Sequence, residues 1–188
     1  MIGEDTDLLV LLLYHYTVAG KELYFRSDKE NPHIYDIRKL KTLFEDHVCT
    51  SLLFAHAFTG CDTTSRIFGI GKKSAFQKVI ANDAVFSSCS RIFCSPNSDH
   101  STIEIAGAKA MLSLCNRPEL ESLASLRYSF ICKKTANAKS FVTPERLPPT
   151  ASATKYHSWK TYNQVMTWMC SCDNMEPCLL YTSDAADD

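Results

Sequence analysis

The spacing of apolar and polar positions changes several times along the chain, and each change marks an element. Leu8 to Tyr14 is an unbroken apolar run of seven residues, preceded by Glu4, Asp5, Thr6 and Asp7. In so short a run periodicity does not separate a buried strand from a buried helix. Leucines in place of β-branched residues, with acids and a threonine ahead of them, favour helix. Leu23-Tyr24-Phe25-Arg26 and His33-Ile34-Tyr35 read as short strands on either side of the Asn31-Pro32 turn. From Asp36 the period is helical: Ile37, Leu40, Leu43 and Phe44 share one face, continued by Val48, Leu52, Ala55 and, past a break, Phe58. This helix is expected to stop near Gly60.

Ala75, Phe76, Val79 and Ile80 mark the next amphipathic helix, after the Gly69-Ile70-Gly71 turn. Further helices are expected over 83–93, 102–115 and 119–134, with Asn116-Arg117-Pro118 parting the last two. Pro144, Pro148 and Pro149 among serines and threonines make 141–154 an extended linker. Residues 155–170 form a last helix, in which Trp159, Tyr162, Val165, Met166 and Trp168 make a packing face. The tail, 171–188, fits nothing before it. Its end resembles a translated sequencing-library adaptor and is set apart from the fold.

Composition narrows the class. With 45% hydrophobic and 22% charged residues in 188, the chain can bury a core and is not wholesale disordered. Its longest apolar run is far short of the roughly twenty residues a membrane helix needs. The acidic start lacks the basic lead of a signal peptide. An intracellular protein is expected, nuclear if it works on DNA, with no membrane partner. Nine cysteines in such a chain read as reduced, mostly buried thiols. Cys170-x-Cys172 with Cys178 lacks a fourth zinc ligand at familiar spacing. Net charge is −1 but unevenly spread. Residues 1–60 hold 9 acids and 6 bases (−3), whereas 61–82 hold 1 acid and 4 bases (+3). An acidic site beside a phosphate-tolerant surface fits that distribution.

Two clusters carry candidate chemistry. In Glu4-Asp5-Thr6-Asp7, carboxylates two residues apart can share a hard cation such as Mg²⁺; the same acids also suit an ordinary helix N-terminus. Gly60-Cys61-Asp62 is followed by Gly69-Ile70-Gly71-Lys72-Lys73-Ser74-Ala75. A Gly-x-Gly turn opening a helix leaves backbone N–H groups to face a phosphate, and Lys72 and Lys73 add charge there. Glycines also serve ordinary tight turns. The six histidines share no metal spacing and read as structural or surface groups. Ser65 and Ser74 have no base nearby in the sequence.

Taken together, the two clusters resemble the second half of the nuclease core of the flap-endonuclease (structure-specific 5′ nuclease) superfamily, within the PIN-like group. Glu4-Asp5-Thr6-Asp7 matches that family's acidic element, Gly60-Cys61-Asp62 its later Gly-x-Asp, and Gly69 to Ala75 its Gly-Ile-Gly-x-Lys-x-Ala turn at the family spacing. The resemblance covers about residues 2–82. A closer likeness, to uncharacterised transposon-associated proteins, lies in Ala57 to Ser65 and in Phe141 to Pro149.

The resemblance implies an α/β fold: an incomplete PIN-like, Rossmann-like parallel sheet (1–60), a helix–two-turn–helix that holds DNA backbone (61–82), a helical region (83–140), then the linker and last helix. It implies Asp5, Asp7 and Asp62 as metal-binding and catalytic residues around a two-metal Mg²⁺ or Mn²⁺ site. Gly69, Ile70, Gly71, Lys72 and Lys73 would hold the DNA backbone, with K⁺ at the Gly69–Gly71 turn. The expected function is a truncated, metal-dependent phosphodiesterase domain for structured DNA, inactive on its own. The alternative is a non-catalytic DNA- or protein-binding module derived from that fold.

Overall fold

The computed structural model describes residue 2 and residues 6–28, 30–137 and 143–170. Among the described residues, eight α-helices and two short strands follow one another: α1 (Thr6–His15), β1 (Tyr24–Arg26), β2 (Ile34–Asp36), α2 (Ile37–Leu43), α3 (Asp46–Phe58), α4 (Lys72–Ile80), α5 (Ala84–Phe93), α6 (His100–Leu114), α7 (Leu123–Asn137) and α8 (Ala151–Trp168). The chain is mixed α/β and mainly helical.

Local chemistry sets most boundaries. Asp36, Asp83, Asp99 and Thr150 each accept a hydrogen bond from the backbone N–H three residues on, capping α2, α5, α6 and α8. Asn82 and Asn116 take positive φ (50° and 54°) just past α4 and α6. There Asp83 N–H bonds to Lys78 O and Arg117 N–H to Leu112 O, closing both helices in Schellman fashion. The helix expected from Asp36 to Gly60 is two: Phe44 and Glu45 are extended, so the chain re-aims between α2 and α3. The last helix begins earlier than 155, because Pro148-Pro149 sit directly before the Thr150 cap and end no further into the segment. Residues 144–146 form a 3₁₀ turn inside the expected linker. Its first residues, 141–142, and the tail 171–188 lie outside the described residues.

The described strands do not form the expected parallel sheet. β1 and β2 pair antiparallel, Tyr24 with Asp36, Phe25 with Tyr35 and Arg26 with Ile34. A short connection through Asn31-Pro32 favours that geometry, since parallel neighbours need a long crossover. Among the described residues, parallel pairing is limited to a single bridge between Ile2 and Arg26.

The core is built on α3, whose residues Cys49 and Leu52 to Phe58 are all buried. Phe54 stacks at 5.3, 5.1 and 4.6 Å from the rings of Phe58, Phe86 and Phe93, joining α3 to α5. One buried apolar cluster runs from Leu13 to Leu126, with Trp159 and Tyr162 of α8 against it. A second, around Leu53 and Ala57, takes Val165 and Met166, so the α8 packing face is as expected. At the crossing of α6 and α8, Gly107 lies directly against Ser158.

The seven described cysteines are free thiols. Burial pushes the Cys94 thiol up to about 12 and those of Cys89 and Cys115 up to about 11, which keeps them protonated and inert. Cys132 differs from expectation: its helix turns it outward and it is exposed.

His157 gives the fold a pH dependence. Burial holds its imidazole below the usual range, partly offset by its hydrogen bond to Phe58 O at 2.8 Å. The unfolded chain therefore binds a proton that the folded chain refuses. Its stabilising contribution is intact above the unfolded pKa near 6.5 and is lost as pH falls below it. Urea midpoints measured from pH 7.5 to 5.5 are expected to fall, and to fall less in His157→Gln. An equal fall in both would remove His157 from the account.

Candidate functional site

The end of α3 delivers the Gly-x-Asp segment. Gly60 has φ +108°, and a Cβ there would meet Arg66 Cγ at 2.8 Å and Arg66 Cα at 2.9 Å, so the chain doubles back here only with glycine. The turn is pinned by Thr64 Oγ1, which donates to Ala57 O at 2.6 Å and accepts from Cys61 N–H at 3.0 Å. Thr63 Oγ1 reaches Gln164 Oε1 of α8 at 2.5 Å. Asp62 stands at the exposed tip.

The second turn leads into α4. Gly69 has φ +75°, and a Cβ built on Gly69 or Gly71 meets nothing within 4 Å, so this stretch of backbone faces open space. Gly71 caps α4 with no side-chain hydrogen bond. Lys72 and Lys73 begin the helix. Phe68 beside them is 60% exposed, with Lys134 Nζ of α7 5.9 Å from its ring centroid.

Asp7 and Lys72, 65 positions apart, meet on His56. The His56 side chain is 4% exposed, and its Nε2 is bonded to Asp7 Oδ1. Lys72 Nζ lies 2.8 Å from His56 Nδ1 and 3.1 Å from Nε2, above the imidazole rather than in its plane. The Trp168 ring covers His56 at a centroid distance of 5.8 Å, and Trp168 O bonds to His15 Nε2 at 2.8 Å. The end of α8 thus closes over α1 and α3.

Of the residues expected to form the site, Asp7 and Lys72 come together on His56, and Lys72, Lys73 and His56 line a pocket between α1, α2, α3 and α4 that Asp7 does not line. Gly69, Ile70 and Gly71 form the expected turn. Asp62 sits at the separate tip after α3, and Asp5 lies outside the described residues. Sequence reasoning missed His56. Its signal was available: a single imidazole inside the buried run Leu52 to Phe58, where a polar ring needs a partner.

Carboxylate oxygens suit Mg²⁺ or Mn²⁺, and the hydrogen bond from His56 orients Asp7 as such ligands commonly are oriented. Among the described residues no three His, Cys, Asp or Glu side chains form a group that would hold an ion. No described helix is long and apolar enough to cross a membrane. Comparison with protein-family models, curated proteins and solved structures finds no match to this chain.

Proposed function

We propose that this chain is part of a divalent-metal-dependent phosphodiesterase of the structure-specific nuclease type, acting on structured DNA. The observation that carries it is the meeting of Asp7 and Lys72 on His56, which places an acid of the first motif beside a lysine of the second. The open Gly69–Gly71 backbone at an uncapped helix start supports the second half of the reading, since such N–H groups suit phosphate. In this reading Asp5, Asp7 and Asp62 hold Mg²⁺ or Mn²⁺, Lys72 and Lys73 hold DNA backbone, and K⁺ binds at the glycine turn. The metal ions, when bound, activate water and stabilise the leaving oxygen of the phosphodiester. The fold is then of the PIN-like kind, with the Ile2–Arg26 bridge as the trace of its parallel pairing.

A second reading keeps the fold and drops the reaction. It is favoured by Asp7 Oδ1 being taken by His56 and by Asp62 standing at an exposed tip. Two measurements separate the readings. Binding of a 5′-flap duplex, followed by anisotropy against salt, is expected to lose about one unit of log–log slope in each of Lys72→Ala and Lys73→Ala. Unchanged slopes in both would overturn the DNA-backbone assignment. Cleavage of the same duplex under Mg²⁺ or Mn²⁺ is expected from a longer protein that completes the nuclease core, and is expected to be lost there in Asp7→Asn and Asp62→Ala. Binding without metal-dependent cleavage selects the non-catalytic module, and equal cleavage by all three proteins removes the acids from the reaction.

A further inference from the structure

Ile67, Phe68, Gly69 and Ile70 make a tight turn, closed by Ile70 N–H donating to Ile67 O at 3.1 Å, with Gly69 at φ +75°. Positive φ at the third position marks a type II turn, whose second residue stands at the corner. That residue is Phe68. Ile67 is buried and Ile70 packs against the same core cluster, so both ends of the turn are anchored. The corner is thereby held outward, and Phe68 is 60% exposed. Single exposed apolar side chains are ordinary on a protein surface. Phe68 is set apart by its neighbours.

Next to it in the chain is the Gly69–Gly71 backbone, where an added Cβ meets nothing within 4 Å at either glycine. From α7, Lys134 Nζ lies over the ring at 5.9 Å from its centroid, and Arg146 O holds that ammonium at 3.1 Å. The surrounding segment, 61–82, carries 4 bases and 1 acid. A flat ring set among cations is how proteins hold single-stranded nucleic acid: charge follows the phosphates while a base lies on the ring. An apolar patch on a protein partner would accept the ring but not the positive charge around it.

We infer that Phe68 and Lys134 form a stacking site for an unpaired base of single-stranded nucleic acid, with the base on the open side of the ring and its backbone along Gly69–Gly71. The inference rests on the nucleic-acid reading for the backbone and adds to it a contact with bases. Stacking accepts any base, so the site reads strandedness rather than sequence. Paired bases keep their faces inside the duplex and offer the ring nothing. Phe68 and Gly69 share one anchored turn, which fixes the base contact in register with the phosphate contact.

Fluorescence anisotropy of the chain with a labelled oligothymidylate, and with an abasic strand of the same length and charge, tests it. The thymidine strand is expected to bind about tenfold tighter, as stacking of a base implies. Phe68→Ala is expected to bring it down to the abasic strand while leaving abasic affinity and the salt slope in place. Phe68→Tyr, which keeps the ring, is expected to keep the preference. Phe68→Leu, apolar but without a flat face, replaces the alanine variant if circular dichroism shows that the latter does not fold. Binding of neither strand, equal binding of both, a preference untouched by loss of the ring, or an equal loss on both strands would each overturn the stacking site. The duplex salt slopes of Lys72→Ala and Lys73→Ala judge the backbone reading separately. Slopes that fall there, with no base preference here, would remove this inference alone.

Discussion

Phe54→Ala is expected to lower folding stability by about 3–5 kcal/mol, the usual cost of emptying a buried aromatic site. Phe54 is 0% exposed and lies within 5.3 Å of three other phenylalanine rings, those of Phe58, Phe86 and Phe93. Those rings come from α3 itself and from both ends of α5, so the cavity has stiff walls and little room to collapse. Ring pairs of this kind add about 0.5–1.5 kcal/mol each beyond area burial. Natural domains are stable by only about 5–15 kcal/mol, so the variant is expected near its unfolding threshold. Urea titration is the measurement, with the midpoint falling and the slope unchanged. Phe54→Leu, which refills most of the volume, is expected to lose clearly less. A loss below about 1 kcal/mol for the alanine variant would mean that the phenylalanine cluster is not the core.

Gly107→Ala is the second large effect, and its sign is informative. In an exposed helix interior this change stabilises by about 1 kcal/mol, because alanine is the better helix former. Here the added Cβ would stand 1.8 Å from Ser158 Oγ and 2.7 Å from Ser158 Cβ. Rotating the hydroxyl removes the first clash but not the second, so α6 and α8 must separate. Overpacking of this kind costs about 1–3 kcal/mol, occasionally more. The melting temperature is therefore expected to fall. Ser158→Gly in the same chain removes the opposing atoms and is expected to restore part of the loss, a coupling that a double-mutant cycle reads directly. A rise in melting temperature on Gly107→Ala alone would show that the helices do not cross there.

The contrast between these helices explains what the sequence revealed. α4, α5 and α6 were legible because amphipathic spacing coincides with strong terminal signals: Asp83 and Asp99 at the starts, Asn82 and Asn116 at the ends. The break between α2 and α3 was not, because apolar spacing continues across Phe44 and Glu45 while only the backbone turns. The start of α8 was hidden by Pro148-Pro149, which suit both a linker and the approach to a helix cap. In the site, Asp7 and Lys72 were legible from their motifs. His56 was not, since a lone histidine in an apolar run acquires meaning only when folding places a carboxylate and an ammonium beside it. The pocket between α1, α2, α3 and α4 was equally invisible: Leu9, Leu40 and Phe76 each read as ordinary core positions until four helices leave space between them.

The latch of α8 over the first helix has a consequence for synthesis. His15 and Trp168 meet across 153 positions, so during synthesis the Val10, Leu11 and Tyr14 side of α1 stays uncovered until α8 has left the ribosome. Chains fold as they emerge, N-terminal parts first, and uncovered apolar surface is where aggregation starts. Nascent chains that stop before α8 should thus be clients of chaperones, while those that include it release themselves.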